Sequence, residues 1–337
     1  MKALVVVPGG VEVVDHPDPE PPPDGVVVAV HSCGICGSDV HSVEVGSRRR
    51  GQILGHELSG TVAEVGRNAR AAGWRHGQAV AVNPLGGCGT CGVCGQGLPF
   101  LCDRMPNLGL TAPGGFAEYL AVPQAQLFPL PEGVDVELGA HAEPLAVALH
   151  AVGLARAAPG ADALVFGVGP IGLNVIAALR ASGAGRIVAV GRSAGRRAAA
   201  AALGADIVLD ARETNVAEYA AAEGLRFPQA YECSAAPEAL ALCAPTLAVG
   251  GTVVEVALPS TPASVDTRLF VGRNLHLVGS CAFGVEEYRR AVELLCSASI
   301  DVAPLVSERV PLAGAPDALE RLRHPVDLVG VLVQPWR

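Results

Sequence analysis

The segment ALVFGVGPIGLNVIAALRAS, residues 163–182, constrains the fold of this chain more than any other stretch. Its short apolar run predicts a buried strand, and the periodic apolar run after the glycines predicts a helix. Between them, GVGPIG has the spacing G-x-G-x-x-G, in which the glycines allow a tight turn, close approach of a pyrophosphate and helix–strand packing. The residues predicted to bind a dinucleotide here are Gly167, Val168, Gly169, Pro170, Ile171 and Gly172.

Strand and helix patterns keep alternating after this turn. RIVAV, DIVLD, AYECS and GGTVVEVAL are predicted strands, and an alanine-rich helix separates the first two. Strands that alternate with helices indicate βαβ units on a doubly wound parallel sheet, the Rossmann α/β fold. We therefore predict a dinucleotide-binding domain over residues 146–280.

The end of RIVAV bears on which dinucleotide this domain prefers. Gly191 stands there, where a carboxylate would bind the ribose 2′-hydroxyl of NAD(H), and Arg192, Ser193 and Arg196 follow. Arginines can pair with a 2′-phosphate, so the sequence favours NADP(H) over NAD(H). The alternative is that these arginines only form the solvated start of the alanine-rich helix.

The first 145 residues have a different character. KALVVV, GVVVAVHS, GTVAEVG, QAVAV and FAEYLAV are short strand-type runs punctuated by turn residues, which predicts an antiparallel, barrel-like domain. The last segment, residues 281–337, ends in another strand-type run. We predict a β-rich domain over residues 1–145, to which residues 281–337 return.

A glycine-rich stretch of this domain carries four closely spaced cysteines. The spacing C-x2-C-x2-C-x7-C contains Cys88, Cys91, Cys94 and Cys102. Four thiolates satisfy tetrahedral zinc completely and leave no open position, which predicts a structural zinc site. Two disulfides or an iron–sulfur cluster are the alternatives.

A second group of metal-ligand types is spread along the same domain. HSCGICGSDVH contains Cys36 and also Cys33 and two histidines, so a redox pair is an alternative there; His56-Glu57 and Glu143 follow downstream. One Cys, one His and one or two carboxylates are typical of a catalytic zinc site, which keeps room for a substrate.

Taken together, the motifs GICGSDVH, GHELSGTVAEVG, the four cysteines, EPLAV and GVGPIG resemble the zinc-dependent medium-chain alcohol dehydrogenase family, in the family's order. The EPLAV segment resembles its polyol, butanediol and threonine dehydrogenase branches. The resemblance implies a GroES-like catalytic domain and a Rossmann cofactor domain. It also implies two zinc ions per chain, a small-molecule alcohol or carbonyl substrate, and a homodimer or homotetramer.

The resemblance also implies roles for single residues. The catalytic zinc ligands would be Cys36, His56 and Glu143, with Glu57 as a transient or water-mediated ligand. Ser38 would take the proton of the alcohol and pass it toward His41, while hydride moves between the substrate and the nicotinamide. Cys33 and His31 would belong to the strand that precedes the site.

Composition excludes several other classes of protein. A net charge of -9 argues against nucleic-acid binding, and the basic run Arg48–Arg50 reads as a solvated loop or a contact to an anionic substrate. The longest uncharged stretch contains Gly and Pro, and the N-terminus lacks a signal-peptide pattern, so no membrane association and a cytoplasmic location are expected. The cysteines outside the predicted sites, Cys233, Cys243, Cys281 and Cys296, are expected to be core thiols.

The leading functional prediction is a zinc-dependent oxidoreductase that transfers hydride between NADP(H) and an alcohol or polyol. One alternative is a reductase of C=C or imine bonds from the same superfamily. The other is a zinc- and nucleotide-binding protein without catalytic activity. The serine and histidine of GICGSDVH favour carbonyl chemistry, and the complete set of zinc-ligand types favours catalysis.

Overall fold

A computed structural model of the chain describes residues 1–259, 261–323 and 327–337, which form two compact units. The first unit comprises Met1–Glu143, Gly284–Val302 and Val306–Arg337, and the second comprises Pro144–Phe283 and Ala303–Leu305. The strands are β1 (Lys2–Val7), β2 (Gly10–Asp15), β3 (Gly25–Gly34), β4 (Glu57–Val65), β5 (Ala79–Val82), β6 (Tyr119–Pro123), β7 (Leu127–Pro129), β8 (Ala163–Phe166), β9 (Ile187–Gly191), β10 (Ile207–Asp210), β11 (Phe227–Glu232), β12 (Leu247–Glu255), β13 (His276–Gly279), β14 (Glu308–Pro311) and β15 (Val331–Gln334).

The α-helices are α1 (Gly37–Glu44), α2 (Arg67–Ala71), α3 (Gly92–Gly95), α4 (Ala142–Leu154), α5 (Pro170–Ala181), α6 (Ala194–Ala202), α7 (Val216–Ala222), α8 (Ala239–Cys243), α9 (Thr267–Arg273), α10 (Val285–Cys296) and α11 (Ala315–Leu322). Short 3₁₀ helices cover Pro99–Leu101, Gln124–Gln126, Val136–His141, Ala244–Thr246, Ala303–Leu305 and Leu312–Gly314. Within the described ranges, no helix is both long enough and apolar enough to cross a membrane.

The second unit is built on a six-stranded sheet of order β10-β9-β8-β11-β12-β13, in which every neighbouring pair is parallel. All residues of β8 and β9 are buried, as expected for strands covered by helices on both faces. This order is that of the doubly wound dinucleotide-binding fold, whose ligand crevice opens between β8 and β11. The predicted α/β fold is therefore confirmed.

The first unit is rich in β-structure. Its seven-stranded sheet has the order β14-β15-β3-β4-β5-β7, and β6 pairs with the first half of β3. The hairpin of β1 and β2 forms a separate two-stranded sheet, which is bridged to the loop residues Ala117 and Ile53 through Ala3 and Val5. The C-terminal strand β15 pairs antiparallel with β3 through Leu332↔Gly34 and Val333↔Cys33, so the end of the chain completes the sheet that begins near residue 25.

Several strands escaped the sequence analysis because they are too short to show a period. They are β2, β7, β13 and β14, of three to six residues each. The expectation of four core thiols was wrong for three of them: Cys281 is exposed in the segment after β13, and Cys233 and Cys296 are half-buried, whereas Cys243 is buried in α8. In the C-terminal run VDLVGVLV, Val326 lies outside the described residues.

Candidate functional site

The position of Cys36 is fixed by the junction between β3 and α1. Cys36 is the N-cap of α1, with extended backbone angles φ -82° and ψ 151°. The carboxylate of Asp39, three residues on, accepts a hydrogen bond from the Cys36 backbone N–H at 3.1 Å, as in a capping box. The helix start therefore holds the Cys36 thiol at the end of β3.

His56 and Glu57 reach the same place from the neighbouring strand. Because β3 and β4 are antiparallel with Gly34 opposite Glu57, the end of one strand meets the beginning of the other. One ligand atom from each of Cys36, His56 and Glu57 lies within 4.8 Å of the others. We call these three residues the metal-ligand cluster.

Gly34 makes room for Glu57. A Cβ atom placed on Gly34 would lie 2.2 Å from Glu57 Oε2 and 3.2 Å from both the Cβ and the Cδ of Glu57. The carboxylate therefore occupies the volume that any larger residue at position 34 would fill. Glycine at this position is a condition for the placement of Glu57.

Glu143 lies in the first turn of α4 and is buried with only 8% of its surface exposed. It is close enough to interact electrostatically with both Glu57 and His56, although it is not part of the metal-ligand cluster. Burial, together with repulsion from Glu143, raises the pKa of Glu57 to about 8. Burial likewise raises the pKa of Glu143 to about 7.

The sequence analysis missed Asp39, which is 1% exposed. Its Oδ1 lies 3.7 Å from His56 Nδ1. Burial alone would lower the pKa of His56, but Asp39 and Cys36 raise it well above its usual value. At this distance Asp39 acts on the His56 ring through its charge, which raises the basicity of the ring. The available signal was the capping-box spacing Cys-x-x-Asp in CGSD.

The donor types and their placement fit a zinc ion. A thiol, an imidazole and two carboxyl groups are all zinc ligands, and three of them at a time leave a fourth position for a substrate oxygen. The buried carboxyl groups of Glu57 and Glu143 repel each other, so a divalent cation between such donors would offset an otherwise costly concentration of negative charge. The residues that could hold the cation are Cys36, His56, Glu57 and Glu143.

Ser38 and His41 lie on α1, directly after the cluster residue Cys36. They are three residues apart, so their side chains share a face of the helix, and both residues are exposed. The backbone oxygen of Ser38 accepts a hydrogen bond from Ser42 Oγ at 2.5 Å, which ties this turn of the helix together. A hydroxyl and an imidazole thus lie about one turn apart on the exposed face of α1.

The four cysteines of the glycine-rich stretch converge as a separate group, which we call the cysteine lobe. The Cys88 and Cys94 sulfurs are 3.9 Å apart, and those of Cys91 and Cys102 are 3.8 Å apart. Sulfurs bound tetrahedrally to zinc at about 2.3 Å are separated by about 3.8 Å, so this geometry fits zinc. Hydrogen bonds from Thr90 lower the pKa of Cys88 to about 6, whereas burial raises the pKa of Cys94 to about 11, so Cys88 is the readier of the two to ionise.

The glycine turn of the second unit has the geometry expected of a phosphate-binding turn. Gly167 has φ +102°, and a Cβ there would lie 2.7 Å from the backbone of Cys233 and Ser234. A Cβ on Gly172 would lie 1.8 Å from the Gly167 oxygen, whereas nothing lies within 4 Å of a Cβ on Gly169. Gly169 is the N-cap of α5, so open space faces free backbone N–H groups. Pro170 and Ile171 form the first turn of α5, and Val168 is buried beneath it.

Gly191 ends β9 beside this turn. A Cβ on Gly191 would lie 2.1 Å from Val168 Cγ2, so the packing of Val168 excludes an ordinary side chain there. Arg192 is exposed, and Ser193 caps α6 by accepting a hydrogen bond from the Arg196 N–H at 3.2 Å. A Gly-Arg-Ser sequence therefore occupies the rim where a ribose or its phosphate would lie.

Two charged residues near this rim are engaged with each other. Arg197 donates to the backbone oxygen of Arg192 at 2.7 Å and pairs with Asp210 at 2.8 Å. Hydrogen bonds from Arg212, and the charge of Arg197, hold the pKa of Asp210 below its usual value. Asp210 lies opposite Gly191 on β10, so its negative charge at this rim is balanced by two arginines.

The remaining residues that the sequence singled out lie outside the metal-ligand cluster. Arg48 donates to Ser42 Oγ at 3.0 Å and to the Leu110 backbone oxygen at 2.7 Å, whereas Arg49 and Arg50 are exposed. Cys33 is fully buried in β3, and His31 is exposed on the same strand. The Cys33–Cys36 doublet therefore divides into one buried residue of the strand and one member of the metal-ligand cluster.

Comparison with known proteins matches both parts of the chain to one family. Residues 22–132 match the alcohol dehydrogenase GroES-like domain, and residues 170–297 match the zinc-binding dehydrogenase domain. The 2-dehydro-3-deoxy-L-galactonate 5-dehydrogenase of Pseudoalteromonas atlantica (strain T6c / ATCC BAA-1087) is 34% identical over 285 residues, covering 83% of this chain and 82% of that protein. The sorbitol dehydrogenase of Bacillus subtilis (strain 168) is 31% identical over 334 residues, covering 95% of this chain and 93% of that protein.

A solved structure extends the similarity to the fold. A zinc-binding dehydrogenase from Sinorhizobium meliloti 1021, crystallised with NADP, superposes with a TM-score of 0.92. It is 30% identical in sequence, and the alignment covers 99% of each chain.

Proposed function

The chain belongs to the zinc-dependent alcohol dehydrogenase family and is a hydride-transferring oxidoreductase, and from this premise we propose that it interconverts a polyol or sugar acid and the matching ketone, with NADP(H). The convergence of Cys36, His56 and Glu57 at one place, with Glu143 nearby, is the observation that carries the proposal. The names of the sorbitol and galactonate dehydrogenase relatives support the substrate class.

Cys36, His56 and Glu143 would hold the catalytic zinc, and Glu57 would ligate it transiently or through water. When bound, zinc polarises the oxygen of the substrate and the nicotinamide accepts or donates hydride. The charge of Asp39, 3.7 Å from the His56 ring, would keep that ring basic. The capping of α1 by Cys36 and Asp39 keeps the thiol and the imidazole together.

Ser38 and His41 would move the proton that leaves the alcohol. The Ser38 hydroxyl accepts the alcohol proton and at the same time releases its own hydroxyl proton toward His41. The exposed imidazole of His41 then exchanges a proton with solvent. Ser38 and His41 lie one turn apart on α1, and this arrangement supports carbonyl chemistry. Reduction of a C=C or imine bond would need no proton relay to an alcohol oxygen.

The cysteine lobe would hold a second, structural zinc ion, which gives two zinc ions per chain. Its sulfur–sulfur distances of 3.8 and 3.9 Å support this assignment. With four thiolates in place, no position remains for a substrate, so this zinc would stabilise the loop rather than take part in the reaction.

Preference for NADP(H) would follow from the rim around Gly191. No carboxylate side chain can occupy position 191 while Val168 keeps its packing, so repulsion of a 2′-phosphate is absent there. Arg192 is exposed next to it, and Arg197 balances Asp210. The binding turn itself would use Gly167, Gly169 and Gly172, with Ser193 and Arg196 at the start of α6.

The functional domains would be a catalytic domain of residues 1–145 with residues 281–337, and a cofactor domain of residues 146–280. We propose a homodimer in which the edge strands β13 of two copies pair. Within the described residues β13 pairs only with β12, and Leu277 on it is 46% exposed. None of the ten cysteines, all of which lie in the described ranges, forms a disulfide, which supports a cytoplasmic location.

The proposed function is tested by a substrate panel combined with metal analysis. The panel contains sorbitol, xylitol, 2,3-butanediol, L-threonine, L-idonate and L-galactonate, each with NADP⁺ and with NAD⁺, followed by nicotinamide absorbance. We expect two zinc ions per chain and oxidation of a polyol or sugar acid. Fewer than two zinc ions, or no turnover of any polyol or sugar acid, would contradict the proposal.

Preference for NADP(H) is tested with Arg192→Ala against Arg226→Ala, a change of equal charge away from the rim on the loop before β11. We expect Arg192→Ala to weaken NADPH binding about tenfold or more and to leave NADH binding unchanged, because only NADPH carries the 2′-phosphate. Equally weakened binding of NADPH and NADH would show that Arg192 does not bind the 2′-phosphate. Size-exclusion chromatography with light scattering measures the oligomeric state.

A further inference from the structure

The carboxyl edge of the six-stranded sheet carries an unusual pair of acidic residues. Glu232 is the last residue of β11 and Glu255 the last residue of β12, and the two stand opposite each other in the parallel register. Residues in register on neighbouring parallel strands share one face of the sheet. Two carboxyl groups therefore stand side by side at the edge where this fold binds its ligands.

This edge has two halves, and the acidic pair lies in the second. In a doubly wound sheet each half binds one mononucleotide, and the phosphates lie at the switch between β8 and β11. The strands β8, β9 and β10, with the glycine turn and Gly191, form the half for the adenosine. The strands β11, β12 and β13 then form the half for the nicotinamide mononucleotide, a step that rests on the proposed function.

Glu232 is fully engaged in holding a turn. Its side chain is 1% exposed and accepts hydrogen bonds from the Ser234 N–H at 2.7 Å, from Ser234 Oγ and from the Ala235 N–H at 3.2 Å. The backbone of Cys233 and Ser234 lies against Gly167, so this turn supports the glycine turn. Glu232 therefore has a structural role within the cofactor-binding unit.

Glu255 has no comparable set of donors. Its Oε2 is buried and has no hydrogen-bond partner in the described part of the chain. Burial, and repulsion from Glu232, raise the pKa of Glu255 to about 7. Its other neighbour in the register is Gly279, where a Cβ would meet nothing within 4 Å. A buried carboxyl oxygen without a donor is costly, and open space lies beside it.

We propose that Glu255 selects the oxidation state of the bound cofactor. The oxidised nicotinamide ring carries a positive charge and the reduced ring is neutral, so a carboxylate on this half of the crevice stabilises only the oxidised form by charge attraction. The carboxylate thereby lowers the affinity for the reduced cofactor relative to the oxidised one. This bias favours occupation by the oxidised cofactor, which is the form that alcohol oxidation requires.

The test is Glu255→Gln, which keeps the shape and a hydrogen-bond acceptor and removes the charge. Calorimetry and fluorescence give the dissociation constants of the oxidised and reduced forms of the nucleotide that wild type binds. They are measured at pH ~8.5, where Glu255 is ionised. We expect the ratio of the oxidised to the reduced dissociation constant to rise about fivefold to tenfold, since partial exposure weakens the charge interaction. Weaker binding of the oxidised form accounts for most of the change.

The matched control is Glu223→Gln, which removes the same charge at the opposite edge of the sheet. Glu223 is exposed and follows the end of α7, which runs back from the carboxyl edge to the start of β11. We expect its dissociation-constant ratio to equal that of wild type. Thermal unfolding without nucleotide shows whether each variant is folded, and Glu255→Met replaces Glu255→Gln in the comparison if the latter unfolds.

Two results would overturn the inference while leaving the proposed function in place. One is an unchanged ratio in the folded variant. The other is equal weakening of both oxidation states, which would make Glu255 a hydrogen-bonding residue without redox selectivity. Failure of wild type to bind any nicotinamide nucleotide would overturn the proposed function and the inference together.

Discussion

Replacing Gly34 by alanine is expected to disable the metal-ligand cluster without changing any ligand. The added Cβ would lie 2.2 Å from Glu57 Oε2, whereas an ordinary contact begins at 3.4 Å, so one of the two groups must move by about 1.2 Å. Rotation of the carboxylate alone does not relieve the clash, because the Cβ and Cδ of Glu57 are both 3.2 Å from the new atom. The Glu57 carboxylate must therefore move by about 1.2 Å, and the rest of its side chain must shift by a few tenths of an ångström.

The cost to activity follows from the size of this displacement. A misplacement of about 1 Å in a catalytic group commonly costs about 10²-fold in rate, so we expect kcat/KM to fall by about that factor. Backbone strain is not the cause, because the positive-φ glycines do not include Gly34 and alanine can adopt its conformation. Zinc affinity, measured by competition with a chelator, is expected to fall with the rate, and the cobalt-substituted protein would show an altered visible spectrum.

Gly37→Ala is the matched control for this prediction. It adds the same methyl group three residues away, on the other side of Cys36, where a Cβ meets nothing within 4 Å. We expect Gly37→Ala to keep the wild-type metal content and cobalt spectrum. If Gly34→Ala behaved like this control in activity and metal binding, the reasoning that Gly34 makes room for Glu57 would be refuted.

Three further predictions concern other parts of the chain. Cys33→Ala is expected to keep two zinc ions per chain and lose only about 1 kcal/mol of stability, because Cys33 is a buried strand residue; loss of zinc would contradict this. Cys94→Ser is expected to leave one zinc ion and lower the melting temperature, whereas an unchanged metal content would exclude the cysteine lobe as a zinc site. The folded-state pKa of Glu255 is raised from 4.5 to about 7, so wild type should lose stability relative to Glu255→Gln as pH rises from about 4.5 to about 7. An equal dependence of melting temperature on pH in the two proteins would contradict the raised pKa.

Local motifs account for what could be predicted from the sequence. The glycine turn and the cysteine lobe are encoded by spacing within about 15 residues, and their geometry follows from glycine conformation and thiolate chemistry. The strands around residue 163 were readable because fully buried strands are continuously apolar. The grouping of Glu143 with Cys36 came from resemblance to a family, since more than 100 residues separate them.

What the sequence could not reveal depends on register between distant segments. The role of Gly34 exists only because β3 and β4 place it opposite Glu57, and Gly191 is confined only because Val168 packs against it. Likewise, Glu232 and Glu255 become neighbours through the alignment of β11 with β12. Strand register is set by the whole sheet and leaves no local pattern to read.

The pairing of β15 with β3 has a consequence for the order in which the protein forms during synthesis. The cofactor-binding sheet is complete once residue 279 has left the ribosome, whereas the sheet beside Cys33 and Gly34 waits for Val331–Gln334. The second half of β3, which precedes the metal-ligand cluster, therefore keeps one open edge until Val331–Gln334 are made. The cofactor-binding sheet can therefore form before the sheet that contains Gly34 and Glu57 has all of its strands.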